Sequence, residues 1–281
     1  MFRSELAIGC CLLIAACGCG APDDSDAAAT AEPIAAATTA SDTATAEPET
    51  GEAADHSADK TVHPENPDNV NSGMLRHAVF FSFKESSSEE DIQGVVDAFA
   101  ELPSKIDSII DFQYGVNNSP EGLDDGLTHC FLLTFADDAG RQAYLPHPAH
   151  KAFGDVLRPH MKDVFVLDYW GDPKQDQPDK ALQHAVFFKF QDSASREEVK
   201  KVEQAFAALP TKIDTIRAFE WSTNNSPETH DDGFTHCFLV TFDSEEGREA
   251  YLPHPDHLAF VEVLKPVLDK VRVLDFWATK P

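Results

Sequence analysis

Positive charge is what this chain has least of. It carries 22 Lys and Arg against 49 Asp and Glu, a formal net charge of −27 at pH 7. No basic stripe offsets that balance, so phosphates would repel the chain and nucleic acid is excluded as a partner. Cysteine is scarce where a fold could use it. Four of the six Cys lie in the first twenty residues, and the other two, Cys130 and Cys237, sit inside apolar runs. That is no disulfide framework, and each of the two is expected to be a buried small hydrophobe. The N-terminal apolar run, Leu6–Ala16, is only eleven residues long, too short to span a bilayer as a helix. There is no Gly-rich phosphate loop and no Ser nucleophile elbow. Residues 21–73 hold no aromatic residue.

What is present begins with a processing signal. Residues 1–20 read as a secretion segment, with Arg3 ahead of the apolar run. The run ends Ile14-Ala15-Ala16-Cys17, which resembles the bacterial lipobox. That resemblance implies cleavage before Cys17 and attachment of lipid to it. Gly18 in the next position implies no inner-membrane retention. The expectation is a lipid-anchored bacterial envelope protein, at the outer membrane or periplasmic face. Residues 21–73 are rich in Ala, Thr, Asp, Glu and Pro, with 12 acids against one Lys. Nothing there can bury a core, so it is expected to be a disordered tether, spanning roughly 40 Å on average.

The rest of the chain says one thing twice. His77–Trp170 and His184–Trp277 align without a gap at an offset of 107, with more than half the positions identical. The identities fall in blocks: HAVFF at 77 and 184, NNSPE at 117 and 224, THCFL at 128 and 235, AYLPHP at 143 and 250. This period is the length of a small domain rather than of a solenoid unit. The domains read as 74–170 and 183–281, joined by a linker at 171–182.

Within one repeat, Arg76–Lys84 has strand composition and is apolar on both faces. Ser88-Glu89-Glu90-Asp91 opens a helix, and its sister Ser195-Arg196-Glu197-Glu198 opens one with an S-x-x-E capping box. Ile92, Val95, Phe99 and Leu102 follow at helical spacing. Strands are expected near 112–117, 128–135 and 164–170, with a helical stretch at 140–161 broken at His147-Pro148. The order β-α-β-β-α-β is the ferredoxin-like arrangement, an α+β class with helices on one face of an antiparallel sheet. The sheet's other face is also apolar and needs cover. A linker of this length reaches roughly 40 Å when extended, so the expected solution is two sheets packed face to face. That is a symmetric dimer made within one monomeric chain.

With this order in hand, the repeat resembles the stress-responsive A/B barrel (Dabb) family. The carriers are His77 opening strand one, Thr128-His129 opening strand three, Tyr144-Leu145-Pro146-His147-Pro148-Ala149-His150, and Asp168 before an aromatic. The second copy repeats them as His184, Thr235-His236, Tyr251 to His257, and Asp275. The family forms dimeric α+β barrels. A plant polyketide cyclase of the family works without an organic cofactor, using a Tyr and the second His of this motif, oriented by an Asp on the last strand. The resemblance therefore implies catalytic candidates Tyr144, His150 and Asp168, with Tyr251, His257 and Asp275 in the second copy. It implies ligand-lining positions at His77, His129, His184 and His236. A pocket tyrosine on helix one is replaced here by Phe99 and Phe206, so the expected ligand is small and hydrophobic or aromatic, with one acidic or phenolic group.

A His held by a carboxylate beside a phenol suits general acid–base work. The same hydrogen bonds could equally serve only to satisfy buried polar groups. Both readings, and a plain binding pocket, stand open at this level. No metal site is expected. His147 and His150 are three apart with Pro148 between them, unlike a zinc-binding H-E-x-x-H helix.

Overall fold

The computed structural model describes residues 73–171, 178 and 180–281. The signal segment with Cys17, nearly all of the tether and most of the linker lie outside the described residues.

The first half runs β1 (Met74–Phe83), α1 (Glu89–Ala100), β2 (Ile109–Val116), β3 (His129–Phe135), α2 (Asp138–Tyr144), α3 (Pro148–Leu157) and β4 (Met161–Gly171). The second repeats it as β5 (Leu182–Phe190), α4 (Arg196–Ala207), β6 (Ala218–Thr223), β7 (His236–Phe242), α5 (Glu245–Tyr251), α6 (Pro255–Leu264) and β8 (Leu268–Trp277). The sheets are antiparallel, in the orders β2-β3-β1-β4 and β6-β7-β5-β8. Local chemistry sets the boundaries. Ser88 and Ser195 close capping boxes with Asp91 and Glu198, each worth about 1 kcal/mol. The expected long helix divides at Pro148, which lacks a backbone N–H and sits in the first turn of α3.

The alternation of β1 explains its two apolar faces. Leu75, Val79 and Phe81 join Val95, Phe99 and Phe153 in a core under the helices. Ala78 and Phe80 point the other way, into a second core shared by both halves. There the sheets meet face to face. The Phe80 and Phe187 rings lie 5.3 Å apart, Phe165 and Phe187 5.0 Å. Cys130 and Cys237 are free, buried thiols in this layer. Each fully buried Phe contributes about 1.5–3 kcal/mol, so the layer is a principal source of stability.

Polar seams fix how the halves meet. β4 and β8 are edge strands, and each is covered by a loop from the other half. Val166 N donates to His230 O (3.0 Å) and Asn225 N to Asp168 O (2.8 Å). Their counterparts run from Val273 N to Leu123 O (2.9 Å) and from Asn118 N to Asp275 O (2.8 Å). Edges that could recruit other chains are thereby closed. Near one seam Gly115 is required, because a Cβ there would lie 2.5 Å from the Trp277 carbonyl oxygen.

The twofold is broken at a buried ion pair. Arg76 reaches Glu220 of the other half with two hydrogen bonds, 3.1 Å and 2.6 Å. The sister positions hold Gln183 and Gln113, joined at 3.2 Å. A first half paired with its own copy would set Arg76 against Gln113, leaving a buried cation without its carboxylate. Residues 74–171 expressed alone are therefore expected to aggregate or associate weakly, not to form a tight dimer. Sedimentation at high concentration checks this. A well-behaved monomer would count against the shared core as a determinant of folding.

Candidate functional site

The register of β1 on β4 sets His77 opposite Asp168, and β5 on β8 sets His184 opposite Asp275. The side chains lie on the helix side of each sheet. His77 Nδ1 is 2.6 Å from Asp168 Oδ1, and His184 Nδ1 is 2.7 Å from Asp275 Oδ1. Each carboxylate's second oxygen accepts from an arginine on a short helix, Arg141 of α2 at 2.6 Å and Arg248 of α5 at 2.9 Å. Both aspartates are fully buried. A carboxylate can only accept, so Nδ1 of each imidazole carries the proton.

Burial alone would lower the pKa of His77. The Asp168 charge and hydrogen bond, with help from Glu228, outweigh it and hold His77 above its ordinary value. His184 is raised in the same way by Asp275 and Glu121. Asp168 is buried, which would raise it, yet His77 and Arg141 hold it below the usual carboxylate range.

Tyr144 lies edge-on to His77, ring centres 5.5 Å apart, and beside His150 at 4.2 Å. Tyr251 repeats this with His184 at 5.6 Å and His257 at 4.3 Å. Both phenols are fully buried, and their hydroxyls have no hydrogen-bond partner among the described residues. Burial pushes both well above the ordinary tyrosine value, so they stay protonated donors.

The motif resemblance placed His150 and His257 against the last-strand aspartates. The structure corrects this. His150 Nδ1 donates to the Leu145 carbonyl (3.0 Å), and His257 Nδ1 to that of Leu252 (2.8 Å). The reason is geometric. His150 lies in the first turn of α3, above the backbone joining the two helices, whereas His77 is the direct cross-strand neighbour of Asp168. With Nδ1 protonated, Nε2 of His150 keeps its lone pair. Burial lowers His150, and His257 more strongly, to about 4. Each site thus holds two imidazoles shifted in opposite directions, with a phenol between them.

Other expected ligand positions lie elsewhere. His129 faces Thr128 Oγ1 at 2.9 Å and packs edge-on to Phe83. It pairs with Phe81 and is four residues along β3 from Leu133, the partner of His77, a separation of about 13 Å by strand rise. His236 pairs with Glu203 at 3.1 Å. Phe99 and Phe206 are sealed in the helix-side cores, stacked on Phe153 at 4.3 Å and on Phe238 at 4.4 Å. The period of the strand and the packing of α1 explain why none of these reaches the His77 or His184 cluster. His147 accepts from Ala149 N as the cap of α3. An open groove of about 420 Å³ adjoins His150, lined also by Leu145, Lys151, Gly154, Asp155 and Arg158.

Arg141 and Arg248 escaped the motif reading, as did the NNSPE loops. Arg141 Nη1 also donates to Asn225 Oδ1 (2.8 Å), and Arg248 Nη1 to Asn118 Oδ1 (3.0 Å). A signal existed: both Arg stand three residues before the motif Tyr, on the same helical face, in both copies.

Residues 75–171 and 182–278 each match the Stress Responsive A/B Barrel Domain, Dabb. One repeat is similar to the stress-response A/B barrel domain-containing protein HS1 of Arabidopsis thaliana, 34% identical over 98 residues, covering 35% of this chain and 90% of that protein. Another similar protein is olivetolic acid cyclase of Cannabis sativa, 25% identical over 100 residues, 36% of this chain and 99% of that protein. Among solved structures, an anthrone oxidase-like protein aligns with a TM-score of 0.50 at 11% identity, over 74% of this chain and 92% of its own; at that identity the likeness concerns the fold alone. The two matched segments cover most of the chain, which belongs to the stress-responsive A/B barrel family as a tandem pair of its domains.

Proposed function

We propose that each half binds a small, largely apolar molecule beside the Tyr144–His150 or Tyr251–His257 pair, and that the site moves protons on it with the chain's own side chains. The observation that carries this is the opposed titration of two imidazoles around a buried phenol whose hydroxyl is unpartnered. Structural packing alone gives no reason for that phenol to lack a partner, since a buried hydroxyl left unpaired costs about 1–3 kcal/mol. Environments that push two titratable groups apart define an acid and a base. In the proposed reaction His150 Nε2 takes a proton, Tyr144 donates a hydrogen bond to the oxygen where charge grows, and His77 is held in place by Asp168. The similarity to a protein named a cyclase supports this chemistry. The groove beside His150 offers an approach and is within the usual size of ligand sites.

Native mass spectrometry of the purified chain is expected to show small-molecule adducts that His150→Gln with His257→Gln removes. If a reaction is found, either substitution should lower kcat by about 10²–10⁴ at its own site. Adducts that persist in the double variant would place binding elsewhere, and a wild type that never carries any would sink the reading.

We also propose that Cys17 carries lipid and tethers the barrel pair to the bacterial envelope. Among the described residues no helix is long and apolar enough to cross a membrane. Cys17→Ser should move the protein from the membrane to the soluble fraction. Unchanged partitioning, or an intact mass that retains residues 1–16, would count against the anchor.

A further inference from the structure

The NNSPE blocks at 117–121 and 224–228 are identical, and nothing in the motif resemblance uses them. In the structure each reaches out of its own half. Asn224 Oδ1 accepts from the backbone N–H of Asp168 (3.1 Å), and Asn117 Oδ1 from that of Asp275 (3.0 Å). The next residue of each block takes the site arginine of the opposite half. Three residues further, the acids arrive at the imidazoles. Glu228 Oε2 is 3.7 Å from His77 Nε2, and Glu121 Oε1 is 3.9 Å from the His184 ring.

These separations are too long for direct hydrogen bonds. Both carboxylate oxygens are buried and unpartnered among the described residues, as are the hydroxyls of Tyr144 and Tyr251. The Glu228 charge also acts on Tyr144 and on His150, and that of Glu121 on Tyr251. Each site therefore gathers an orphan phenol from one half and an orphan carboxylate from the other. The donors nearby are committed, because the two oxygens of Asp168 hold His77 and Arg141. A ligand carboxylate placed there would meet Glu228 while the Arg141 charge stays bound to Asp168. A neutral hydroxyl matches both groups chemically, since it can accept from a phenol and donate to a carboxylate.

We propose that Glu228 and Glu121 are ligand-contacting residues of the site in the opposite half, and that each composite site selects a neutral alcohol or phenol over a carboxylate. This rests on the ligand site proposed above and narrows the acidic or phenolic group expected from sequence to a neutral hydroxyl. It also makes the two sites interdependent, because each half supplies an essential part of the other's.

The test titrates the full chain with 4-propylphenol and with 4-propylbenzoate at pH 7, following the His77 and His184 ring signals by NMR. Wild type should bind the phenol at both sites and the benzoate roughly tenfold or more weakly, the loss expected from one unfavourable charge contact. Glu228→Gln should weaken the phenol about tenfold and narrow that preference at the His77 site alone, and Glu121→Gln should do so at the His184 site alone. Phenol binding untouched by either substitution would overturn the composite site while leaving the proposed pocket standing. Effects confined to the substituted half would overturn the exchange between halves. If wild type binds neither probe, the hydroxyl preference and the pocket reading fall together.

Discussion

Glu220→Gln is expected to destabilise the barrel pair by about 3–5 kcal/mol, the usual cost of removing one partner of a buried ion pair. Arg76 is buried, and the charge and hydrogen bonds of Glu220 hold its guanidinium firmly protonated against a burial that opposes it. Arg76→Gln should be similarly harmful, since Glu220 is also buried. The informative variant combines both changes. It would place Gln facing Gln, the arrangement already present at Gln183 and Gln113, and it should recover most of the loss. Urea unfolding of the two single variants and the double closes the cycle. If the double variant loses the sum of the singles, the pair is not an independent unit and the comparison across the pseudo-twofold fails.

Asp168→Asn should be as damaging. Asp168 anchors His77 and Arg141 through its side chain, and its backbone carries two contacts from the sister loop. The substitution leaves two buried cationic groups with a neutral amide, again costing about 3–5 kcal/mol. The pH dependence follows from the two shifts. His77 is raised from 6.5, so its contribution is fully present below that value and is lost as pH rises through the folded value. Asp168 is lowered from 3.8, so its contribution is present above that value and is lost as pH falls through its own folded value. The difference between wild type and variant should thus be largest between about pH 4 and 6.5. At higher pH it should shrink without vanishing, because Arg141 stays charged. In the variant, burial acts on His77 unopposed by that carboxylate, and NMR titration should find its pKa below the ordinary value. A His77 pKa unchanged by the substitution would show that Asp168 does not govern it.

Much of the fold is legible in the order of the residues. The repeat, the strand and helix order, the helix starts at Ser88 and Ser195 and the break at Pro148 follow from spacing and backbone chemistry that act within a few residues. The two-sided apolar strands even imply the second sheet, because Ala78, Phe80 and Phe187 face away from the helices and need cover on that side. The motif likewise puts Tyr144 beside His150.

What the residues do not reveal is which side chain touches which. His77 and Asp168 are separated by 91 positions, and only the register of β1 on β4 makes them neighbours. His150 is displaced from that role because the carbonyl of Leu145, five residues away, satisfies its Nδ1 first. The reach of Glu228 into the site of the other half depends on the packing of the two sheets, and so does the pairing of Arg76 with Glu220. Local order thus comes from the sequence itself, through dihedral preference and hydrophobic period, which operate over short separations along the chain. The contents of the site come from tertiary structure, because a buried carboxylate takes whichever donors the strand register and the opposing sheet bring within hydrogen-bonding distance.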